Sequence, residues 1–307
     1  MDRAFSIVGV TPAHVPAVVD LCRSALDLPD DAAESAEIVA RLSETGPLRR
    51  TVGLVAETGG RIVGVALGST AHRDASVGHV DLIAVAPEHR RRGIGRALLG
   101  RAEGALAGLG AGEVLLAGNP PVYAWPGIDV RYTPAVCMAM ALGYEQDRTA
   151  WNMTADLSYE GSPALRPTDD EEKRLAAAGV LLRDAGADDV DALVAFTRAQ
   201  FGGGWDREVA DSIGRPGAGC HVALRGDEIL GFAAYGSARP SWFGPMGTAP
   251  AARGLGVGGA LLRRCLRDQR DAGIRRAEIG WVGPVPFYAR QAGARIERVF
   301  FLFRKQV

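Results

Sequence analysis

The sequence is short of cysteine, and its few cysteines are scattered along the chain. No Cys-x-x-Cys pair occurs, and no histidine accompanies a cysteine at a ligand-like spacing. This pattern excludes a zinc-finger type of site and a disulfide framework. We therefore expect no metal, and we expect buried thiols at Cys22, Cys137, Cys220 and Cys265.

The chain also lacks a long apolar run and an excess of charge of either sign. Its 307 residues carry a formal net charge of −1, and no stretch approaches the ~20 apolar residues that a membrane-spanning helix needs. The segment 1–6 shows no apolar run of the kind found in a secretory leader. We expect a cytoplasmic monomer or homodimer that binds neither nucleic acid nor a membrane.

The sequence does contain one long motif in two copies. The stretch 85–99 (VAPEHRRRGIGRALL) recurs as 248–262 (TAPAARGLGVGGALL). In each copy an apolar segment runs into Pro, an Arg-x-x-Gly-x-Gly turn follows, and an Ala-Leu-Leu helix begins. Because domains usually run to roughly 100–200 residues, the chain is long enough for two cores. We predict two copies of one fold.

The two Arg-x-x-Gly-x-Gly turns, 90–95 and 253–258, have the properties of an anion site. Glycines let the backbone approach a ligand closely, and the first helical turn offers unpaired N–H groups at the positive end of the helix dipole. A lone Gly-x-Gly is equally typical of a plain strand-to-helix turn. A dinucleotide fingerprint is disfavoured, because it follows the first strand of its domain whereas these turns lie late in each half.

The complete string resembles the acyl-CoA loop of the GCN5-related N-acetyltransferase (GNAT) superfamily, and the resemblance covers most of the chain. It implies a mixed α/β fold with two GNAT-type domains, each a twisted, mostly antiparallel sheet flanked by helices. We predict an N-terminal domain at 1–157 and a C-terminal domain at 177–307. The linker is predicted at 158–176, where the sequence switches abruptly to polar and charged residues.

The resemblance also implies that acetyl-CoA binds as a cosubstrate, without a metal, at both loops. In the first half, the residues expected to contact it are Ile83, Val85, Arg90, Arg91, Arg92, Gly93, Gly95, Arg96 and Asn119. In the second half, they are Met246, Thr248, Arg253, Gly254, Gly256, Gly258 and Gly259.

Two titratable residues precede the first loop on an otherwise apolar strand. With a period of two, His79 and Asp81 share one face of the segment 77–85. One reading is a solvated strand end or a mutually satisfied pair. The other is a general base, since an alkylammonium acceptor with a pKa near ~10.4 must lose a proton before its nitrogen can attack a thioester. The resemblance implies the second reading, because this strand carries the base in many family members.

The segment 118–134 distinguishes the first half from the second. It holds four prolines and three aromatic residues, which predicts an ordered loop. The loop is expected either to pack against the second half or to cover the acceptor, with contacts from Tyr123, Trp125, Asp129 and Tyr132. In the second half, Trp205 follows three glycines, which indicates an acceptor-side gate or a plain turn.

The second half has a different set of candidate groups. Trp242 and Gly244 stand where the first half has His79 and Asp81, so no base is expected there. The segment 287–294 resembles the family's Phe-Tyr-x-x-x-Gly-Phe motif, which implies that Tyr288 stabilises the leaving thiolate of CoA. The alternative for Tyr288 is simple packing of a helix onto the sheet, and the first half has Met138 at this position.

We therefore expect an enzyme, an N-acetyltransferase that moves an acetyl group from acetyl-CoA directly to a small-molecule amine. The alternative is a catalytically silent CoA-binding or regulatory tandem protein, because neither half has every expected group. Within the first hypothesis, we expect turnover in the second half, because Tyr288 lies in the more specific motif, whereas His79, Asp81 and the aromatic loop favour the first.

Overall fold

The computed structural model describes residues 5–46, 49–202 and 204–307. The chain divides into two compact units. The first unit is Met1–Ala150 together with Val299–Val307, and the second unit is Trp151–Arg298.

The elements of the first unit follow the predicted order. Its strands are β1 (Ser6–Gly9), β2 (Thr51–Thr58), β3 (Arg61–Thr70), β4 (Val77–Val85), β5 (Glu113–Leu116), β6 (Ile128–Asp129) and the start of β7 (Glu145–Asp156). Its helices are α1 (Val15–Ala25), α2 (Pro29–Ala33), α3 (Ser35–Ser43), α4 (Ile94–Gly108) and α5 (Thr133–Ala141).

The second unit repeats this pattern. Its strands are the end of β7, β8 (Leu181–Asp184), β9 (Gly219–Arg225), β10 (Glu228–Tyr235), β11 (Trp242–Thr248), β12 (Arg276–Ile279) and the start of β13 (Arg295–Gln306). Its helices are α6 (Asp169–Ala177), α7 (Val190–Gln200), α8 (Trp205–Ser212), α9 (Val257–Asp271) and α10 (Val285–Ala292).

Both units have the same strand pairing. In the first, the order is β1-β2-β3-β4-β5-β13, and in the second it is β8-β9-β10-β11-β12-β7. Every pairing along each series is antiparallel except β4 with β5 and β11 with β12, which are parallel. The expected repeat of a mixed, mostly antiparallel fold is confirmed.

The parallel strands of each unit pair over a short length. In the first unit, β4 pairs with β5 only from Val77 to His79, so residues 80–85 run on without that neighbour. Helix α4 follows and buries Leu98, Leu99 and Leu106 against the sheet. The amphipathic spacing of these leucines holds the helix on the sheet, which fixes its N-terminus beside the opening between the two strands.

A bulge interrupts the strand before each loop. In β4 the pairing moves from Val80–Gly68 to Leu82–Leu67, which leaves Asp81 as the additional residue. The corresponding shift in β11 spans Gly244, the counterpart of Asp81 in the repeat. The expectation that His79 and Asp81 share a face is therefore corrected, because a bulge breaks the alternation of side chains.

The last strand of the chain contributes to the first unit. Phe303 pairs with Leu116 of β5 and lies 1% exposed in the first hydrophobic core. The strand β7, in turn, pairs with β12 through residues 153–156. The bounds of the two compact units thus differ from those of the predicted domains, 1–157 and 177–307. The domain boundaries stay a prediction.

The structure also bears on the predictions for the cysteines and for the linker. Cys137 is exposed on α5, so the expectation of four buried thiols is wrong at that position. The predicted linker contains α6, whose Glu171 and Glu172 form ion pairs with Arg263 and Arg264 of α9 in the second unit. Among the described residues, no helix is long and apolar enough to cross a membrane.

Replacing Phe303 by Ala should destabilise the first unit, because the change leaves a cavity in its core. We expect the free energy of unfolding to fall by about 3–5 kcal/mol. Chemical denaturation measures the loss, and hydrogen exchange of residues 113–116 locates it. Val307→Ala, at a residue 45% exposed, is the control and should change stability by less than about 0.5 kcal/mol. Loss of protection confined to the second unit would contradict this assignment.

Candidate active site

A cavity of about 800 Å³ lies in the first unit, where β4 and β5 separate. Its walls come from β4, the loop before α4, the segment 116–132, the end of α1 and helix α5. Most of the side chains that line it are apolar. A cleft of this size with a few polar groups is typical of a small-molecule site.

The loop before α4 provides one wall of the cavity. Arg91 and Gly93 have positive φ angles of 62° and 82°, and no side chain caps the N-terminus of α4. The N–H groups of the first helical turn are therefore available to a phosphate. Open space adjoins Gly93, and the side chain nearest to Gly95 is Met138. This backbone can accept a phosphate group.

The predicted cofactor residues of the first half occupy different places around this loop. The cavity wall includes Ile83, Val85, Arg90, Arg91, Gly93, Gly95 and Arg96. Arg92 and Asn119 are not part of the wall that the described residues form. Arg90 is also tied to Asp27 by a 3.0 Å ion pair and to the carbonyl of Ala25 at 2.8 Å, so it anchors the loop to α1.

Asp81 is among the residues that line the cavity, and its carboxylate is buried beneath the wall. Its side chain is 1% exposed, and its Oδ2 accepts hydrogen bonds from Arg49 Nη2 at 3.0 Å and from Ser69 Oγ at 2.6 Å. Its Oδ1 is buried and has no hydrogen-bond partner in the part of the chain that the structure describes. Burial raises the pKa of Asp81 to about 6, although the positive charge of Arg49 opposes that rise.

A chain of hydrogen bonds supports Asp81 from behind. Asn119 Nδ2 donates to Ser69 Oγ at 2.7 Å and to the carbonyl of Thr70 at 3.1 Å. Ser69 can then direct its own hydroxyl proton to Asp81. The position predicted for cofactor contact, Asn119, is thus placed behind the carboxylate. Arg49 and Ser69 were missed by the sequence analysis, because no motif links them to a strand so distant along the chain.

His79 lies outside the wall of the cavity. Its ring is 6% exposed, its Nδ1 donates to the carbonyl of Ala117 at 2.9 Å, and it is not part of the cavity wall. Burial lowers the pKa of His79 to about 4, so the imidazole is neutral at physiological pH. The structure therefore gives His79 and Asp81 different partners, and of the two only Asp81 is among the residues that line the cavity.

The proline-rich loop forms the aromatic wall of the cavity. Tyr123, Trp125, Asp129 and Tyr132 all line it, and their contact with the acceptor stays a prediction. Trp125 Nε1 and the Tyr132 hydroxyl each donate to the carboxylate of Asp31, a side chain with no solvent exposure, at 3.0 Å. No sequence pattern pointed to Asp31, because it is one of two adjacent acidic residues in a short helix.

The loop of the second unit has a similar backbone but different surroundings. Gly254 and Gly256 have φ angles of 83° and 94°, and α9 also begins without a side-chain cap. A Cβ atom added at Gly258 would meet the Phe287 ring at 3.4 Å and Met246 at 3.5 Å. None of the cofactor residues predicted in this half, which include Thr248, Arg253 and Gly259, lines the 800 Å³ cavity.

The predicted site residues Tyr288 and Trp205 both lie in aromatic clusters. Tyr288 is 8% exposed, with its ring 6.2 Å from Phe243 and 5.1 Å from Phe287, and burial raises its pKa above the usual range. Trp205 packs 5.2 Å from Phe201. Gly203, within the predicted gate, lies outside the described residues. The catalytic and acceptor roles of Tyr288 and Trp205 stay predictions.

In the second unit, the two residues that correspond to His79 and Asp81 have no titratable side chain. Trp242 is 1% exposed and lies directly on Gly280, where an added Cβ atom would be 1.7 Å from the indole. Gly244 has no side chain at all. Among the described residues, no group of three or more His, Cys, Asp or Glu side chains could hold a metal ion.

Comparison with known proteins identifies both halves. The acetyltransferase (GNAT) family model matches residues 22–125 and 190–293, and each match contains one glycine loop. A mycothiol acetyltransferase from Geodermatophilus obscurus is 31% identical over 281 residues, which are 86% of this chain and 84% of that protein.

Solved structures show the same fold over nearly the whole chain. A tandem GNAT protein from the clavulanic acid biosynthesis pathway has a TM-score of 0.68 at 18% identity, with 98% of each chain covered. A GCN5-related glucosamine N-acetyltransferase region of a fungal multi-domain GH3 β-N-acetylglucosaminidase has a TM-score of 0.73 at 17% identity. That match covers 99% of this chain and 38% of the fungal one.

Replacing Arg49 by Met should raise the pKa of Asp81 above its value of about 6, because the opposing positive charge is lost while the volume stays filled. Carbon-13 NMR of the carboxyl group, assigned with Asp81→Asn, measures the change. Lys173→Met, at an exposed residue of the second unit, should leave this pKa unchanged. A pKa that moves towards the ordinary aspartate value of about 3.9 would contradict the ion pair.

Proposed function

The chain belongs to the acetyltransferase (GNAT) family, and from that premise we propose that its first unit moves an acetyl group from acetyl-CoA to a small primary amine. The observation that carries this proposal is an 800 Å³ cavity at the uncapped N-terminus of α4, with Asp81 among the residues that line it. A buried carboxylate beside an uncapped helix N-terminus combines a base with a phosphate site in one cleft.

The loop before α4 would hold the cosubstrate. Backbone N–H groups at Gly93 and Gly95 bind phosphate oxygens, and the side chains of Arg91 and Arg96 add positive charge at the cavity wall. The cosubstrate supplies the acetyl thioester, whose C–S bond breaks as the amine nitrogen forms the new C–N bond. The ion pair of Arg90 with Asp27 keeps the loop in place. Arg90 therefore has a structural role in addition to any contact with the ligand.

Asp81 acts on the acceptor. The negative charge of Asp81 attracts an alkylammonium ion, and burial in the apolar cavity lowers the ammonium pKa towards that of the carboxylate. Asp81 is ionised above a pH of about 6, so it accepts the proton that the nitrogen loses at neutral pH. Arg49 and Ser69 hold Oδ2, and the buried Oδ1 is the oxygen left to take the proton.

Assignment of turnover to the first unit reverses the preference that Tyr288 suggested. The first unit combines the base, the cavity and the aromatic loop. The second unit has Gly244 at the bulge, and its Tyr288 ring is packed between Phe243 and Phe287. These observations favour turnover in the first unit, and a role for Tyr288 as proton donor remains the competing proposal.

Replacing Asp81 by Asn should lower kcat by about 10²–10⁴-fold, because the base is removed at nearly constant volume. Affinity for acetyl-CoA should change little. In the unaltered protein, kcat/KM should fall as the pH drops through about 6, where Asp81 becomes protonated, and this acidic limb should be absent from the residual activity of the variant. Release of the CoA thiol in a screen of small amines provides the rates.

Tyr288→Phe is the matched comparison and should retain turnover within about threefold. Loss of turnover in Tyr288→Phe with full activity in Asp81→Asn would place the reaction in the second unit. Binding of acetyl-CoA without release of thiol for any amine would favour a silent CoA-binding protein instead.

A further inference from the structure

The side chain of Arg90 makes most of its hydrogen bonds within the protein. Its Nε donates to the carbonyl of Val85 at 3.2 Å, and its Nη2 donates to the carbonyl of Ala25 at 2.8 Å. Both terminal nitrogens also donate to the carboxylate of Asp27, at 3.0 and 3.3 Å. A guanidinium has five N–H donors, so these four bonds leave a single donor for a ligand.

Two other arginines of the same loop are placed differently. Arg91 and Arg96 are exposed, and both line the cavity. Arg96 lies in the first turn of α4, whose N–H groups have no side-chain cap. A charged side chain beside these N–H groups can turn towards an anion that binds there. Arg91 and Arg96 are therefore better suited than Arg90 to contact a phosphate.

Two partners of Arg90 belong to one short segment, residues 25–31. Helix α1 ends at Ala25, and α2 begins at Pro29 and has only five residues. Isolated helices shorter than about 12 residues are marginal in water, so α2 is not stable on its own. The position of the segment therefore depends on its tertiary contacts, and the hydrogen bonds from Arg90 are among them.

The same segment holds two side chains of the aromatic wall. The backbone N–H of Leu28 donates to the Tyr132 oxygen at 3.3 Å. The Tyr132 hydroxyl donates to Asp31 Oδ2, and Trp125 Nε1 donates to Asp31 Oδ1, both at 3.0 Å. Asp31 has no solvent exposure, and a buried carboxylate is costly without such donors. The positions of both rings therefore follow the position of this segment.

We propose that Arg90 is a positioning residue for the aromatic wall of the cavity. It fixes the segment 25–31, and this segment fixes Trp125 and Tyr132. Contact with the cosubstrate phosphates is then made by the loop backbone and by side chains such as Arg96. This inference rests on the proposed function of the first unit. The sequence motif predicted a cosubstrate contact for Arg90, and the inference gives this residue a role on the acceptor side instead.

Two methionine variants of the full chain separate these roles. Arg90→Met keeps a long side chain without its hydrogen bonds, so backbone amides of residues 118–132 should exchange at least about fivefold faster in the ligand-free protein. Its affinity for CoA, measured by titration calorimetry, should stay within about threefold of the unaltered protein. Arg96→Met should weaken CoA binding by about fivefold or more and leave exchange in residues 118–132 unchanged.

Arg23→Met is the control, because it removes an exposed 3.1 Å ion pair with Asp20 from α1, outside the cavity wall. It should change neither CoA affinity nor exchange in residues 118–132. Arg90→Lys should restore part of the protection, because an ammonium group can still pair with Asp27. A role limited to the overall stability of the unit would instead speed exchange in the central strand β3 as well.

The outcomes separate this inference from the proposed function. Equal loss of CoA affinity in Arg90→Met and Arg96→Met, or unchanged exchange in residues 118–132 of Arg90→Met, would overturn the positioning role and leave the acetyltransferase assignment intact. Binding of CoA to the unaltered protein without protection of residues 91–96 would contradict the cosubstrate site of the first unit. Exchange in the ligand-free Arg90→Met variant would still decide the positioning role in that case.

Discussion

The first unit depends on burying one carboxylate in the gap between two strands. Asp81 is the additional residue of a bulge in β4, and it lies where β5 has already separated from that strand. A buried charge is expensive unless it is paired, and here Arg49 and Ser69 pair one oxygen only. The remaining oxygen keeps part of the desolvation cost unrelieved, which is why the pKa of Asp81 is raised to about 6. That cost is compatible with a functional role, since a general base works best when its pKa is close to the working pH.

The second unit shows the same backbone without this charge. Gly244 stands at the matching bulge, and Phe287 and Met246 lie beside Gly258 where the first unit has Met138 beside Gly95. The two glycine loops have similar positive φ angles, because both must turn a strand abruptly into a helix. Loop geometry alone therefore does not distinguish the units. The side chains around the loop do, and they favour the first unit as the site of chemistry.

Much of this could be predicted from the sequence, because local patterns determine it. The repeated string 85–99 and 248–262 indicated two copies of one fold, and Asp81 and the aromatic loop were identified as candidates. The prediction that His79 and Asp81 share one face of β4 was wrong. A bulge depends on how two strands pair, and the sequence of a single strand does not reveal it. Arg49, Ser69 and Asp31 were missed for a similar reason: each meets the site through tertiary contacts between distant segments. The place of Phe303 in the first unit also depends on a long-range pairing, with Leu116.

The central claim is that the first unit binds the cosubstrate for reaction, and matched charge insertions at the two helix N-termini test it most directly. Gly95→Asp and Gly258→Asp each place a carboxylate in the first turn of the helix that follows the glycine loop, where it repels phosphate. The measurement is thiol release from acetyl-CoA by each variant under saturating amine. The account predicts that Gly95→Asp loses turnover by about a hundredfold or more and that Gly258→Asp stays within about threefold of the unaltered protein. Full turnover in Gly95→Asp together with its loss in Gly258→Asp would contradict it.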